Sequence, residues 1–321
     1  MPFLAVGIDE NGLGPRLGPL VVTAVVLEAR EGAERAAMSK PTKALAPRLG
    51  DSKALVRYGG SSLGEAWARA IAARLELGGE LGDPDALAHA FFLEGKSVLR
   101  APCPPEREHG HGGQCWGAAG EVFGSDDAAV AQASRDLDRL EKRGLRVRAL
   151  RIAVVCTQRL NEAAARGVSR FAVDLHTMER LVLSLREELG HDVMAVCGKV
   201  GGYDRYGDAF GPLGGRLHMA LVEGRARSEY RFPGVGQIAF VRDADDSHLI
   251  VSLASLVGKW ARDLLMSRIV RYYRGAAGNA ELPDASGYHD PVTTRFIDAT
   301  ALIRKDRGLP DACFERIRAQ V

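Results

Sequence analysis

Two carboxylates set side by side at the end of a short apolar run constrain this chain more than any other feature. Residues 3–8 read as a buried strand, being short, partly β-branched and closed by a glycine-rich turn. Asp9 and Glu10 follow at once, then Gly12, Gly14, Pro15, Gly18 and Pro19. Two charges are costly inside a core, so the pair belongs where the strand emerges. Neighbouring strand residues point to opposite faces, and the strand end must bend if both are to serve one site. Three readings compete. For an isolated Asp-Glu, a strand ending in a solvated acidic turn is the plain one. A dinucleotide fingerprint fits badly, because the spacing is G-x-G-x-x-x-G, the acids precede the glycines and Pro15 interrupts the helix start. The third is a hard-cation site, with carboxylate oxygens gathering Mg2+ or Mn2+ beside a turn open to a phosphate backbone.

Composition narrows the setting. A chain of 321 residues with 46% hydrophobic content buries one large core or two smaller ones. A net charge of +2 excludes a strongly basic protein, so nucleic-acid affinity must come from a local patch. Five cysteines without a disulfide rhythm fit a reducing cytosol. No apolar run approaches the ~20 residues of a membrane helix. The expectation is a cytoplasmic monomer that does not engage a membrane.

Along the chain, residues 20–27 read as a second buried strand. Asp51-Ser52-Lys53-Ala54-Leu55 reads by itself as a helix cap. Amphipathic helices are expected at 63–77, 84–93, 128–143 and 168–189, with strands at 145–155 and 192–197. On the helix at 168–189, His176 reads as a partly buried, satisfied histidine and Asp174 as a first-turn or surface acid. Residues 101–125 turn rich in Pro, Gly and His and mark an inserted loop. Its Cys103, His109, His111 and Cys115 are soft donors in a spacing foreign to the recurring zinc patterns, so a His/Gly-rich loop is preferred over a zinc site there. Short apolar runs at 217–222, 229–232 and 237–241 predict an antiparallel excursion made locally basic by Arg225, Arg227, Arg231 and Arg242. Asp243, Asp245 and Asp246 follow as a turn and cap, with Asp245 or Asp246 open to service as a substitute ligand. Ser252, Ser255, Lys259 and Asp263 share a helix face by their spacing, and Lys259 with Asp263 reads as an ion pair. Helices at 295–304 and 311–319 close the chain.

Four of these stretches, in this order, resemble the motifs of the type 2 ribonucleases H, the ribonuclease HII family that cuts RNA in RNA–DNA hybrids. They are Gly7-Ile-Asp-Glu-Asn-Gly-Leu-Gly-Pro15, Asp51-Ser-Lys-Ala-Leu55, the helix from Ser252 through Lys259 to Arg262-Asp263 and Met266, and Ser286-Gly-Tyr288. The resemblance implies an α/β, ribonuclease H-like fold: a central mixed sheet flanked by helices, with a C-terminal helical segment. The expected division is a catalytic domain over 1–275 and a helical extension over 276–321. It implies two Mg2+ or Mn2+ ions held by Asp9, Glu10 and Asp263. Lys53 then contacts a substrate phosphate, Gly12 and Gly14 present backbone to the ribose, and Tyr288 packs on the sugar. The family's arginine in the glycine motif is Leu13 here, and Arg16 stands close enough to compensate. The family's third strand-end carboxylate is also missing, its position falling on Cys197 or Gly198, with Asp204 the candidate displaced acid. The implied function is a metal-dependent endoribonuclease acting on the RNA strand or embedded ribonucleotides of hybrid duplexes. The alternative is a degenerate relative that binds nucleic acid or a protein partner without cutting.

Overall fold

A computed structural model describes residues 2–50, 52–56, 58–77, 81–103, 113–278 and 281–317. Its first two strands, β1 (Phe3–Asn11) and β2 (Leu20–Ala29), pair antiparallel across the glycine-rich turn. Seven helices follow: α1 (Glu34–Ala37), α2 (Ser52–Leu55), α3 (Ser62–Arg74), α4 (Pro84–Phe91), α5 (Lys96–Arg100), α6 (Gly113–Trp116) and α7 (Asp127–Lys142). Strand β3 (Leu145–Val155) leads to α8 (Thr157–Ala165) and α9 (Arg170–Leu189). The rest of the sheet is β4 (Val193–Gly198), β5 (Met219–Val222), β6 (Arg227–Phe232) and β7 (Gly236–Val241). After the single turn α10 (Ala244–Ser247) comes α11 (Leu249–Ala277), then α12 (Pro291–Ala299), α13 (Ala301–Asp306) and α14 (Asp311–Phe314). Local chemistry sets several boundaries. Asp83, Asp126 and Ser169 cap α4, α7 and α9 by accepting from backbone N–H groups, and Gly190 ends α9 in the left-handed conformation.

The seven strands form one mixed sheet in the order β3-β2-β1-β4-β7-β6-β5. Strands β1, β4 and β7 run parallel at its centre, and antiparallel strands complete both edges. The mixed sheet flanked by helices is the architecture expected, and the antiparallel excursion at 217–241 is its β5-β6-β7 edge. Strand alternation divides the core. Ala5, Val21 and Val25 face a layer that includes Trp67, Leu137 and α11. Leu4, Val6, Ile8, Val22 and Val26 face Leu175, Met178, Leu181 and Leu185 of α9. A third cluster joins the second half of α11 to the C-terminal helices through Tyr273, Phe296 and Phe314. Among the described residues no helix is long and apolar enough to cross a membrane.

Helix α11 lies almost in backbone contact with β1. A Cβ on Gly7 would stand 2.4 Å from the carbonyl carbon of Ile250, so only glycine admits the helix there. Gly7→Ala is therefore expected to destabilise the fold by about 2–3 kcal/mol through overpacking against rigid backbone. Urea denaturation should show this loss. Gly82→Ala is the control, because its Cβ would meet nothing within 4 Å. A Gly7→Ala midpoint equal to that of the control would refute the close-contact account.

Candidate active site

The parallel strands β1, β4 and β7 end side by side, the place where open α/β sheets expose ligand-binding loops. Ile8 is paired with Cys197, and Gly198 with Val241. Residues just beyond these pairs line a pocket of about 370 Å³. Asp9 and Glu10 enter from β1, and the pocket adds Asp243 and Asp245 beyond β7. Facing these four carboxylates are Lys199, Arg242 and Lys259. Asn11, Gly12, Leu13, Gly14 and Tyr288 complete the side formed by the glycine turn and the 286–288 loop.

Gly198 settles which residue occupies the strand-end position. A Cβ built on it would lie 3.1 Å from Asp9 Oδ1 and 3.2 Å from Glu10 Oε2. Both carboxylates therefore converge on one point, and the bend needed to bring them together is present. Cys197 points the other way, into the α9-side core. Burial and the acids around it, Asp174 first, push its thiol far above the usual range.

Asp204 is engaged elsewhere. Its Oδ1 accepts from Lys199 Nζ at 3.0 Å, while the same ammonium donates to the Gly224 carbonyl at 2.5 Å. Asp263 lies one helical turn beyond Lys259 and outside the pocket lining. It accepts hydrogen bonds from the Gly59 N–H and the Ser61 hydroxyl, and burial raises its pKa to about 6 against the opposing pull of Arg262 and Lys259. The serines of α11 have comparable local duties. Ser252 donates to the Asp245 carbonyl at 2.5 Å, and Ser255 to Ser52 Oγ at 2.8 Å. Lys259 donates to the carbonyls of Ser52 and Val56. Helix α11 thus holds both the 52–61 segment and the start of α10. Lys53 belongs to α2, but its side chain lies outside the described residues, as do His109 and His111.

The glycine turn is fastened from below by arginines that sequence reasoning gave no role. Arg316 donates to the carbonyls of Gly12 (2.7 Å), Leu13 (3.2 Å) and Gly18 (2.7 Å). Burial, then the neighbouring Arg262 charge, lowers its pKa to about 9. Arg262 packs under Gly12, whose φ of +90° and absent Cβ leave it room, and its guanidinium lies 4.8 Å from the Tyr288 ring centroid. This holds the half-exposed Tyr288 at the pocket rim. Arg16 turns away from the pocket, bonding Glu315 at 2.8 Å and Thr294 at 3.0 Å. Asp174, expected at the surface, is fully buried on α9 with neither oxygen hydrogen-bonded. Burial, then the nearby Asp9 charge, raises its pKa well above the ordinary carboxylate range. His176 is satisfied as expected, 3.0 Å from the Ala209 carbonyl.

Acids of this kind suit a hard cation. Among the described residues no three His, Cys, Asp or Glu side chains are gathered tightly enough to hold an ion by themselves. Mg2+ does not require that, since it is commonly held by one or two carboxylates together with substrate phosphates and water. Asp9 and Glu10, converging on the open space at Gly198, fit that mode.

No sequence-family profile matches the chain, and no curated protein does. Similar solved structures include the PCNA–RNase HII complex from Archaeoglobus fulgidus, at 16% identity and TM-score 0.45, covering 99% of this chain and 96% of that one. Bst-RNase HIII in complex with Mn2+ gives 12% and 0.45, covering 98% and 66%. Ribonuclease H2 from Pyrococcus horikoshii OT3 gives 15% and 0.41, covering 97% and 92%. Likeness of this degree fixes no chemistry, which rests on the residues of this chain.

The raised pKa of Asp263 has a measurable consequence. Between about pH 4 and 6 the fold retains a proton that the unfolded chain has lost, so this group's contribution to stability falls as pH rises through that window. Asp263→Asn removes the titration. In chelator, the variant is expected to gain on wild type by about 2–3 kcal/mol between pH 4 and pH 7. A pH-independent difference in urea denaturation would show that Asp263 is not held in this way.

Proposed function

We propose that this chain is a divalent-metal-dependent endonuclease that hydrolyses the RNA strand, or embedded ribonucleotides, of RNA–DNA hybrid duplexes. The observation that carries the reading is the convergence of Asp9 and Glu10 on Gly198, in a pocket shared with Asp245 and rimmed by Tyr288. The four ordered motif resemblances supply the substrate class.

In this reading Asp9 and Glu10 hold the cation, with Asp245 as a third carboxylate in place of Asp263, which the family resemblance implies, and of Asp204, the candidate displaced acid. A divalent ion bound there supplies Lewis acidity toward the phosphoryl group and a more acidic water. Lys199, Arg242 and Lys259 line the same cleft and partly offset its four carboxylates, and a bound divalent ion would supply the further positive charge that a phosphate backbone needs there. The Gly12–Gly14 turn lets nucleic-acid backbone approach closely, where main-chain groups can meet the 2′-hydroxyl that distinguishes RNA from DNA. Tyr288, braced by Arg262, offers a flat face to the sugar. The fixed carbonyl acceptors under the turn keep that surface in place while substrate binds.

A second reading, nucleic-acid binding without cleavage, is favoured by one observation: the point where Asp9 and Glu10 meet carries no side chain. Cleavage of a duplex containing one ribonucleotide, in Mg2+ or Mn2+, separates the two. Wild type is expected to nick it, and Asp9→Asn and Asp245→Asn each to lose about two orders of magnitude in rate. Gly198→Asp, which adds a carboxylate at the convergence point, is expected to raise the rate. Folded wild type that binds the duplex and never nicks it would establish the non-catalytic reading. Full activity in Asp245→Asn would remove that residue from the ligand set.

A further inference from the structure

Four of the five cysteines come together from distant parts of the chain. Cys103 follows α5, Cys115 lies in α6, Cys156 immediately precedes α8 and Cys313 lies in α14, yet all four line one cavity of about 20 Å³. The sequence separations form no recurring metal pattern, so the convergence is made by the fold alone. All four are free thiols, and they are close enough that a charge on one makes ionising the others harder. Cysteine also serves as a small core hydrophobe. That explanation leaves unexplained why four separate segments each bring a thiol, rather than alanine or valine, to one small space.

We propose that Cys103, Cys115, Cys156 and Cys313 form a structural tetrathiolate zinc site. Four sulfurs and a cavity of this volume suit a single tetrahedral ion and leave no room for an iron–sulfur cluster. Donors for thiolate sulfur are already in place. Cys156 stands at the start of the nine-residue α8, where burial pushes its thiol above the ordinary range while the first N–H groups of the helix and the Arg159 charge pull it back. Gln114 Nε2 stands 3.7 Å from Cys115 Sγ, and Gln114 is itself fixed by the Tyr273 hydroxyl at 2.5 Å. Such outer contacts orient metal-bound thiolates. Among the described residues no three such side chains stand close enough together to hold an ion as they lie, and Cys313 Sγ donates to Gln158 Oε1 at 3.3 Å. Binding therefore needs side-chain rotation toward the cavity and release of four protons, one from each thiol, as Zn2+ enters.

The site would fasten the C-terminal segment to the body of the protein. Cys313 is three residues from Arg316, whose guanidinium holds the glycine turn of the candidate active site. Zinc at this cavity thus secures the strut beneath the catalytic pocket without taking part in its chemistry.

The test is metal content of the full-length protein, purified under reducing conditions from zinc-supplemented cells. About one zinc per chain is expected by mass spectrometry, released by a thiol-blocking mercurial. Cys156→Ser and Cys313→Ser should each lower it at least tenfold, whereas Cys197→Ala should retain it. Should the serine variants fail to fold, cobalt replacement in wild type decides alone. Sulfur-to-cobalt charge-transfer bands and intense tetrahedral visible bands support the site, and their absence overturns it. Zinc content no higher in wild type than in the serine variants, or disulfides in the purified protein, would also overturn it. Because none of these readouts involves cleavage, an inactive nuclease and an absent zinc site are separately detectable.

Discussion

The contact between β1 and α11 is the constraint on which the rest of the molecule depends. Gly7 leaves out a Cβ that would otherwise stand 2.4 Å from the helix backbone at Ile250. Everything around the pocket is indexed to that contact. Helix α11 fixes the carbonyl of Asp245 through Ser252, the 52–61 segment through Ser255, Lys259 and Asp263, and the Tyr288 rim through Arg262. The acids on β1 and the groups that face them therefore belong to one rigid pair of elements. A site that must hold oxygen donors within fractions of an ångström gains from such placement.

Beneath the pocket the molecule buries positive charge against carbonyl dipoles instead of carboxylates. Arg316 is nearly inaccessible, and its guanidinium donates to backbone oxygens of the glycine turn. A turn this rich in glycine has many unpaired carbonyls and little stiffness of its own. One planar guanidinium satisfies several of them in a fixed fork. A carboxylate in the same place would compete with Asp9 and Glu10 for any cation, whereas a buried arginine cannot. The arrangement stiffens the turn and leaves the acids to the pocket.

The division between what can and cannot be read from sequence follows the range of the interactions. Period and capping are local, so β3 spans residues 145–155 as expected, and α9 differs from its expected start by two residues. The adjacent acids of β1 are readable because nothing but a strand end tolerates them. Helix α8 escapes such a reading because its start is marked by Cys156, whose side chain makes no cap. Asp174 reads as a first-turn or surface acid because carboxylates are seldom buried, yet it is completely buried on the same side of α9 as Met178 and Leu181. Asp263 shares a helix face with Lys259, but the pocket ends one turn earlier, a distance that spacing alone does not convey. Arg16 sits beside the motif in sequence and is turned away by Glu315, nearly three hundred residues on.

The missing side chain at Gly198 alters how a metal would be retained. With three strand-end carboxylates, cations can be held before substrate arrives, and the protein must offset the repulsion among those acids throughout its lifetime. With Asp9 and Glu10 alone at the convergence point, that repulsion is smaller and the remaining coordination must come from water, Asp245 or the phosphodiester. In the proposed reading, metal and nucleic acid would then bind with positive coupling, each raising the affinity of the other by the same factor. Lys199 suits this arrangement, since its ammonium is occupied by Asp204 and the Gly224 carbonyl while still lining the pocket. A site built in this way stays incomplete until the correct backbone supplies its oxygens. In that reading, discrimination between substrates would move from the resting protein to the moment of binding.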